Sequence, residues 1–181
     1  LPPDEIRQLL AEKGIVGMGG ATFPTHVKYM PKDPSAIDHI IVNCAECEPY
    51  LTSDYRRMME EPEKIVGGLQ AAMKIFDGRA KGVLAVEDNK KDAAAKLREA
   101  AKGIPDIEVV ELKTKYPQGA ERQLIFAVTG RQINSSMLPA DAGCVVNNCD
   151  TIHAIYEAVH FGRPVMKKVM TITGNAIKEP Q

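Results

Sequence analysis

The chain has 181 residues, with 23 Lys plus Arg against 24 Asp plus Glu, and 44% of its residues are hydrophobic. This composition is typical of a globular domain and excludes a disordered tail, a collagen and a coiled coil. A formal charge of −1 lacks the basic surface that holds a phosphate backbone, so no nucleic-acid partner is expected. No apolar run reaches the roughly 18 residues of a membrane span, and no signal-peptide pattern follows Leu1. We expect a domain that belongs to a longer protein.

Short β-branched runs alternate with amphipathic segments along the chain. The predicted strands are His39–Asn43, Gly82–Val86, Ile107–Leu112 and Cys144–Asn147. Apolar residues at helical spacing predict helices over 65–76, 93–101 and 152–159. Strands that are separated by helices predict an α/β fold, namely a Rossmann-like parallel sheet of about four strands flanked by helices.

The chain changes character near its C-terminus, after Gly162. Residues Val165–Thr173 predict a strand that leaves the sheet, and the residues that follow are polar with Gly and Pro. We therefore expect one domain over residues 1–164, and over 165–181 an exit strand and the start of a following domain. At the start of the last helix of the first domain, Asp150 and Thr151 occupy the positions of an N-cap.

Four cysteines stand as two pairs, C-x2-C at Cys44 and Cys47 and C-x4-C at Cys144 and Cys149. In a chain of this length they do not indicate a disulfide scaffold, and they are typical of intracellular thiols. Buried structural cysteines are the simplest interpretation. A four-thiolate zinc or iron–sulfur site is the alternative that the spacings allow.

The first chemically suggestive loop is rich in glycine. Gly17, Gly19 and Gly20 lack Cβ atoms, so the backbone can approach a flat or phosphorylated ligand and present N–H groups to it. The Phe-Pro-Thr sequence at 23–25 favours the start of a short helix. Lys28 then supplies a cation that can pair with a phosphate. The simpler alternative is a tight turn between two helices, because a glycine cluster alone is weak evidence for a ligand.

An acidic loop, NCAECEPY, follows the first predicted strand. It places Asn43, Glu46 and Glu48 at the carboxyl end of that strand. Carboxylates there can accept hydrogen bonds from ribose hydroxyls or a nicotinamide amide. The alternative is a solvated acidic turn, which is the commoner role of a single Glu.

Two further loops, Tyr116–Gln123 and Val146–Thr151, adjoin predicted helices. The first opens a helix that runs to about Val128. In the second, Asn147 and Asn148 either cap the following helix or hold the carbonyl and ring-nitrogen edge of a cofactor. Because the carboxyl ends of parallel strands share one edge of a sheet, the four loops together favour a cofactor pocket at that edge.

Several common catalytic motifs do not occur in the sequence. It contains no G-x-S-x-G elbow, no H-E-x-x-H and no G-x-x-x-x-G-K-[ST] loop, and its four histidines are scattered. The usual hydrolase, zinc-protease and P-loop functions are therefore excluded. Redox chemistry on a bound flavin needs no side-chain acid or base, so it is compatible with this sequence.

Four separated motifs, in matching order, resemble the C subunit of the Rnf electron-transport complex. They are GMGGATFPTHVK, NCAECEPY, YPQGAERQL and VNNCDTIHAIYEAV. The same loops are more distantly similar to the flavin-carrying, NADH-binding subunit of complex I and of related soluble hydrogenases. The resemblance implies FMN as the cofactor and NAD(H) as the substrate, with hydride transfer between NADH and N5 of FMN and electron exit to iron–sulfur clusters.

The resemblance also implies which residues form the site. It assigns the FMN backbone contacts and phosphate to Gly17, Gly19, Gly20 and Lys28. It implies that the flavin and its ribityl chain are lined by Asn43, Glu46, Gly119, Asn147, Asn148 and Thr151. It places opposite the nicotinamide nucleotide Phe23 and Glu48, with Glu121 nearby. It implies no catalytic side chain and no metal ligand within this chain.

The complex I pattern has acids where this chain has Ala45 and Ala120, which favours the Rnf branch. That branch implies a peripheral subunit on the cytoplasmic face of a membrane electron-transport complex that couples ferredoxin and NAD to ion transport. The partners would be the other subunits, NADH and, indirectly, ferredoxin, and 4Fe-4S clusters are expected only C-terminal to this region. A cobalamin-reductase-type flavoprotein shares the same loops. A docking module that has lost its flavin is the alternative from a different class.

Overall fold

A computed structural model describes residues 1–179 of the chain. One sheet contains four strands in the order β3-β2-β1-β4, and all neighbouring strands are parallel. The strands are β1 (His39–Cys44), β2 (Lys81–Glu87), β3 (Ile107–Leu112) and β4 (Cys144–Asn148). The predicted α/β class and four-stranded parallel sheet are confirmed, and each predicted strand end lies within one residue of the observed end.

Seven α-helices surround the sheet in the described part of the chain. They are α1 (Pro3–Glu12), α2 (Thr25–Lys28), α3 (Ser53–Glu60), α4 (Pro62–Lys74), α5 (Lys91–Ala100), α6 (Glu121–Thr129) and α7 (Cys149–Phe161). Pro3 and Pro62 stand at the first position of α1 and α4, where a missing N–H costs nothing. The short helix that is predicted to start within residues 23–25 begins at Thr25, with Pro24 at its N-cap.

Both faces of the sheet are buried, because side chains alternate along each strand. Ile40 and Val42 belong to the larger core, which also contains residues of α1, α4, α5 and α7. Ile41 belongs to a smaller core with Leu124 and Ile125 of α6. This coverage explains the near-continuous apolar sequence of the strands, which is typical of parallel sheets.

The two long helices on the larger core, α4 and α7, approach each other closely at glycine. A Cβ atom on Gly68 would lie 2.0 Å from the carbonyl oxygen of Ile152, and one on Gly67 would lie 2.6 Å from the ring of Tyr156. Only glycine allows the first of these approaches, since a backbone carbonyl cannot turn aside as a side chain can.

The order of the strands creates a switch point beside β1. The chain passes from β1 to β2 and β3 on one side, then crosses to the other side of β1 to form β4. In open parallel sheets, ligands bind outside the carboxyl ends of the strands at such a point. The ends of β1 and β4 therefore define where a ligand is expected.

The C-terminal segment corrects one prediction. Val165–Thr173 has neither helix nor strand, so the exit strand predicted there is wrong. Side-chain contacts, and not the backbone hydrogen bonds of a sheet, hold the segment against the domain. Val165 packs against the larger core, Lys168 donates to the carbonyl oxygen of Met18, and Thr171 Oγ1 accepts a 2.9 Å hydrogen bond from the N–H of Thr52. Pro180 and Gln181 lie outside the described residues, and the domain boundary at 164/165 stays a prediction.

Candidate functional site

The carboxyl ends of β1 and β4 meet at two asparagines. Asn43 is aligned with Asn148 in the parallel register. The predicted glycine loop, acidic loop and asparagine pair all adjoin these two strand ends, and the loop after β3 contacts β1 as well. The structure thus brings together, at the switch point, the four segments that the sequence analysis singled out.

The glycine loop, residues 17–23, is a closed turn that lies on the start of α7. It is closed by a 2.8 Å hydrogen bond from the N–H of Gly17 to the carbonyl oxygen of Phe23. The N–H of Met18 donates to Thr151 Oγ1 at 2.8 Å, and a Cβ on Gly19 would lie 3.3 Å from Cβ of Asn148. Thr151 and Asn148 therefore fix the position of the loop above β4.

The glycine loop also holds unused hydrogen-bond donors. Among the described residues, the backbone N–H groups of residues 19–23 find no acceptor, and these residues are exposed. Gly20 has φ +119° and Thr22 has φ +51°, so the chain direction reverses within the loop. Successive free N–H groups on such a turn, beside the N-terminus of a 13-residue helix, can together bind an anionic group such as a phosphate.

The asparagine pair has two different roles. Asn148 caps α7, because its Oδ1 accepts from the N–H of Asp150 at 2.9 Å. Asn147 is buried, and its Nδ2 donates to the hydroxyl of Tyr29 at 2.8 Å. Burial raises the pKa of Tyr29, so its hydroxyl stays neutral. The predicted N-cap at Asp150 and Thr151 is wrong. The capping alternative is confirmed for Asn148, whereas Asn147 bonds Tyr29 and caps no helix.

The Asp150 side chain does not cap α7, because it forms an ion pair with Arg57. Its carboxylate accepts a 2.8 Å hydrogen bond from Arg57 Nε, and the Asp150 side chain is only 7% exposed. Arg57 lies on α3, so this pair joins α3 to the start of α7. The helix begins earlier than predicted because Asn148, not Asp150, has a side chain free to bond its first N–H groups.

Glu46, in the acidic loop after β1, is buried and fully engaged. Its carboxylate accepts from the N–H of Asp54 at 2.9 Å and of Tyr55 at 3.2 Å, which caps α3. Lys90 Nζ lies 3.2 Å from the same carboxylate, whose side chain is 3% exposed. Burial and then the neighbouring Glu46 raise the pKa of Asp54. Glu46 therefore shapes the site wall, and neither Asp54 nor Lys90 stood out in the sequence.

Glu48 lies further out on the rim of the sheet. Its carboxylate accepts a 3.2 Å hydrogen bond from the hydroxyl of Tyr116 in the loop after β3. A cavity of about 380 Å³ opens between these residues, along the ends of β1, β2 and β3. Its lining contains Glu46, Cys47, Glu48, Pro49, Tyr50, Leu51, Glu87, Asn89, Lys90, Thr114, Lys115 and Tyr116.

The backbone of Gly119 packs directly on the end of β1. Asn43 Nδ2 donates to its carbonyl oxygen at 2.8 Å, and a Cβ at this position would lie 2.5 Å from the carbonyl oxygen of Ala45. The Asn43 side chain also accepts from the N–H of Ala45 at 3.1 Å. Asn43 and Gly119, both predicted to line the cofactor, are thus in direct contact.

Lys28 and Glu121 are neighbours, although the family resemblance implies different ligands for them, the FMN phosphate for Lys28 and the nicotinamide nucleotide for Glu121. Lys28 Nζ donates to the carbonyl oxygen of Val146 at 2.8 Å and lies 3.3 Å from Glu121 Oε1. The cation therefore bridges α2, the end of β4 and the start of α6. Phe23 is at the end of the glycine loop, with 46% of its surface exposed.

The cysteines do not converge. Cys144 is aligned with His39 at the amino end of β1, and Cys44 stands five residues further along, which is ~16 Å in a strand. A four-thiolate site is therefore impossible. Burial raises the pKa of Cys144 to about 11, and contact with Cys44 together with burial raises the pKa of Cys149. Among the described residues, no three His, Cys, Asp or Glu side chains are grouped as metal ligands.

No helix in the part of the chain that the structure describes has both the length and the apolar character needed to cross a bilayer.

Comparison with known proteins identifies the class to which this fold and site belong. The model of the Nuo51 FMN-binding domain family matches residues 10–157, and the chain belongs to that family. The match includes the glycine loop, the acidic loop, Gly119 and the asparagine pair.

Particular relatives within this class are the C subunits of ferredoxin:NAD⁺ oxidoreductase complexes. The chain is 50% identical to the C subunit of the proton-translocating complex of Clostridium ljungdahlii, over 98% of this chain and 38% of the relative. It is 51% identical to the C subunit of the Na⁺-translocating complex of Acetobacterium woodii, over 98% of this chain and 40% of the relative. The resemblance to the C subunit of the Rnf complex is confirmed, and the chain spans about two-fifths of the length of these relatives.

Solved structures of an NAD⁺-reducing NiFe hydrogenase share the fold. The air-oxidized structure matches with a TM-score of 0.74 and 26% identity, and the H₂-reduced structure with 0.76 and 27%. Each match covers 88% of this chain and 30% or 31% of the hydrogenase chain. These values support the parallel sheet and its surrounding helices.

Proposed function

We propose that this chain binds FMN at the switch point between β1 and β4 and serves as the flavin domain of an NADH-linked oxidoreductase. The observation that carries the proposal is the glycine loop, whose unused N–H groups at residues 19–23 lie beside the start of α7. Backbone N–H groups in this arrangement can bind a phosphate. The family to which the chain belongs is described as FMN-binding.

The remaining residues suit the rest of the cofactor. Asn43, Gly119 and Asn148 present polar edges at the ends of two adjacent strands. Three other residues hold the surrounding elements by hydrogen bonds. Asn147 donates to Tyr29, Thr151 accepts from the glycine loop, and Glu46 accepts from the first turn of α3. We propose Lys28 as an additional cation, which its contacts with Val146 and Glu121 place at the end of β4.

When bound, FMN supplies the hydride and one-electron chemistry that no side chain of this chain provides. The chain's own contribution is position and electrostatics. Backbone N–H groups and the N-terminus of α7 stabilise negative charge. Because Gly119 has no side chain, the loop after β3 packs directly on the backbone that follows β1 and leaves the carboxyl edge of the sheet accessible. Phe23, Glu48 and Glu121 surround this edge, and we propose that they face the nicotinamide nucleotide.

We further propose that the chain is part of the C subunit of an Rnf-type complex. The named relatives at 50% and 51% identity support this assignment. In such a complex the partners would be the other subunits and, indirectly, ferredoxin, and the 4Fe-4S clusters would be held outside this chain. The cytoplasmic face of the membrane is the proposed location, because NADH and ferredoxin are soluble donors and acceptors.

The proposal is tested by titrating the purified chain with FMN under absorbance, followed by anaerobic addition of NADH. We expect saturable binding and then bleaching of the flavin band near 1:1 NADH. Bound FMN that does not bleach would contradict the NADH-linked activity. A chain that binds no FMN at all would contradict the flavin function and favour the docking-module alternative.

A further inference from the structure

The C-terminal segment crosses the proposed flavin site. Its contacts with the domain come from Val165, Lys168 and Thr171, which are three residues apart. Val165 holds the segment at the larger core, Lys168 holds it at the glycine loop, and Thr171 holds it at Thr52, just before α3.

Lys168 holds one peptide group of the glycine loop. Its Nζ donates to the carbonyl oxygen of Met18, and the N–H of Met18 donates to Thr151 Oγ1 at 2.8 Å. Met18 is thus fixed from both ends. In a planar trans peptide the carbonyl and the following N–H point in opposite directions. The grip on Met18 therefore turns the N–H of Gly19 away from the C-terminal segment and leaves it free to donate.

The positive charge of Lys168 is not neutralised by a close ion pair. Its nearest carboxylate, that of Asp150, is 4.0 Å away and is already engaged by Arg57 at 2.8 Å. The Lys168 side chain is 46% exposed, and because the Gly19 N–H points away from it, the ammonium group acts on a phosphate by its charge across the peptide and not by a direct hydrogen bond. Lys28 differs from Lys168, because its charge is paired with Glu121 and it is also bonded to Val146.

We propose that Lys168 is a positioning residue for the phosphate of FMN. By holding the Met18 carbonyl it directs the Gly19 N–H toward the phosphate, and its positive charge adds to that of the α7 N-terminus. This inference rests on the proposed function. It goes further by making the segment after α7 part of the cofactor site, although no sequence motif indicated it.

Four forms of the chain test the inference: wild type, Lys168→Met, Lys168→Arg and Lys167→Met. Lys167 is the matched control, because it is the adjacent lysine, is exposed and makes no hydrogen bond or ion pair with the described residues. Each form is titrated with FMN and, separately, with riboflavin, which lacks the phosphate. Circular dichroism and thermal unfolding verify that each form is folded.

We expect Lys168→Met to weaken FMN binding about tenfold, the loss expected for one charge-assisted contact. Riboflavin affinity should stay within about twofold in all four forms, since a tenfold change corresponds to a whole contact. Lys168→Arg should retain most of the FMN affinity, and Lys167→Met should equal wild type. A second measurement needs no flavin: in chain labelled with ¹⁵N-glycine, the Gly19 amide resonance should move in Lys168→Met and not in Lys167→Met.

The two proposals fail differently. Wild type that binds neither flavin contradicts the proposed function, and the inference with it. Wild type that binds FMN normally, with Lys168→Met equal to Lys167→Met, contradicts the inference alone. An equal loss of FMN and riboflavin affinity in Lys168→Met also contradicts it, because the effect would then not be specific to the phosphate.

Discussion

Gly119 shows how one residue without a side chain shapes the candidate site. A Cβ there would lie 2.5 Å from the carbonyl oxygen of Ala45, and backbone at the end of a central strand cannot move aside. We expect Gly119→Ala to lower the free energy of unfolding by about 1–3 kcal/mol, the cost of overpacking. It should also weaken FMN binding, because the clash would displace the loop and carry the carbonyl oxygen at position 119 away from the Asn43 amide that donates to it. Urea unfolding and flavin titration measure the two effects.

Gly17→Ala is the matched control for the change in the free energy of unfolding alone, because Gly17 belongs to the glycine loop of the proposed FMN site. Its φ is ordinary and its nearest neighbouring atom would be 3.5 Å from the new Cβ, which is normal contact. We expect its free energy of unfolding to change by less than about 1 kcal/mol, as for other substitutions without a clash. Equal destabilisation by the two alanines would show that the close approach at Ala45 is not the cause.

The roles of individual site residues could be predicted only in part. The sequence places Asn43, Gly119 and Asn148 at the ends of elements, and the structure brings them together at one edge of the sheet. The sequence cannot indicate that Glu46 caps α3 and binds Lys90. Glu46 and Lys90 are 44 positions apart in the chain, and no local pattern encodes their contact.

Elements were more predictable than contacts, because their signals are local. Runs of β-branched residues predict the strands, and the structure confirms at Ile40 and Ile41 that such a run is buried on both faces of the sheet. The same signal failed at Val165–Thr173, where the segment finds no strand to pair with and is held by side chains such as Lys168. A β-branched run predicts an extended chain, but a strand also requires a partner.

The packing of α4 on α7 supports the element that carries the asparagine cap. Gly68→Ala would place a Cβ 2.0 Å from the Ile152 carbonyl. Alanine normally stabilises a helix by about 0.5–1 kcal/mol relative to glycine. Here we expect a net loss of about 2–3 kcal/mol, because the helices must separate. The free energy of unfolding in urea measures this loss.

Gly67→Ala controls for the change in helix propensity, since Gly67 is the adjacent residue of the same helix. Its Cβ would meet the half-buried ring of Tyr156 at 2.6 Å, and this side chain, which stacks on His160, can shift where a backbone carbonyl cannot. We expect its effect on stability to stay within about 1 kcal/mol. If Gly67→Ala proved as harmful as Gly68→Ala, the contact with the Ile152 backbone would not be the limiting one.

At the scale of the whole molecule, the carboxyl ends and the amino ends of the parallel strands form two edges of the sheet with different roles. The carboxyl edge carries the candidate flavin site, whereas the amino edge is fastened by an ion pair between Asp38 and Arg131. Both terminal guanidinium nitrogens of Arg131 lie 2.6 Å from the Asp38 carboxylate. Hydrogen bonding by Arg131 lowers the pKa of Asp38 to about 2. The six residues of β1 separate this pair from the site by ~16–20 Å.

The separation of the edges predicts that Asp38→Asn changes stability and leaves FMN affinity unchanged. An Asp with a depressed pKa in the folded state stabilises the fold above its unfolded value of about 3.9, and this contribution is lost as pH falls toward the folded value. Since the Asp38 side chain is 49% exposed, we expect only about 1 kcal/mol at neutral pH. The difference in unfolding free energy between wild type and Asp38→Asn should shrink as the pH falls below about 4 and vanish near pH 2.

Asp4→Asn provides the control for this charge change, because Asp4 has a 94% exposed side chain in a pair with Arg7 on α1. An exposed pair of this kind contributes little, so stability should stay close to wild type at every pH. Chemical unfolding at a series of pH values, with an FMN titration at pH 7, measures all three forms. A stability difference for Asp38→Asn that persists at pH 2 would show that ionisation of Asp38 is not its source. Weaker FMN binding by a folded Asp38→Asn would show that the amino edge is coupled to the carboxyl edge through β1.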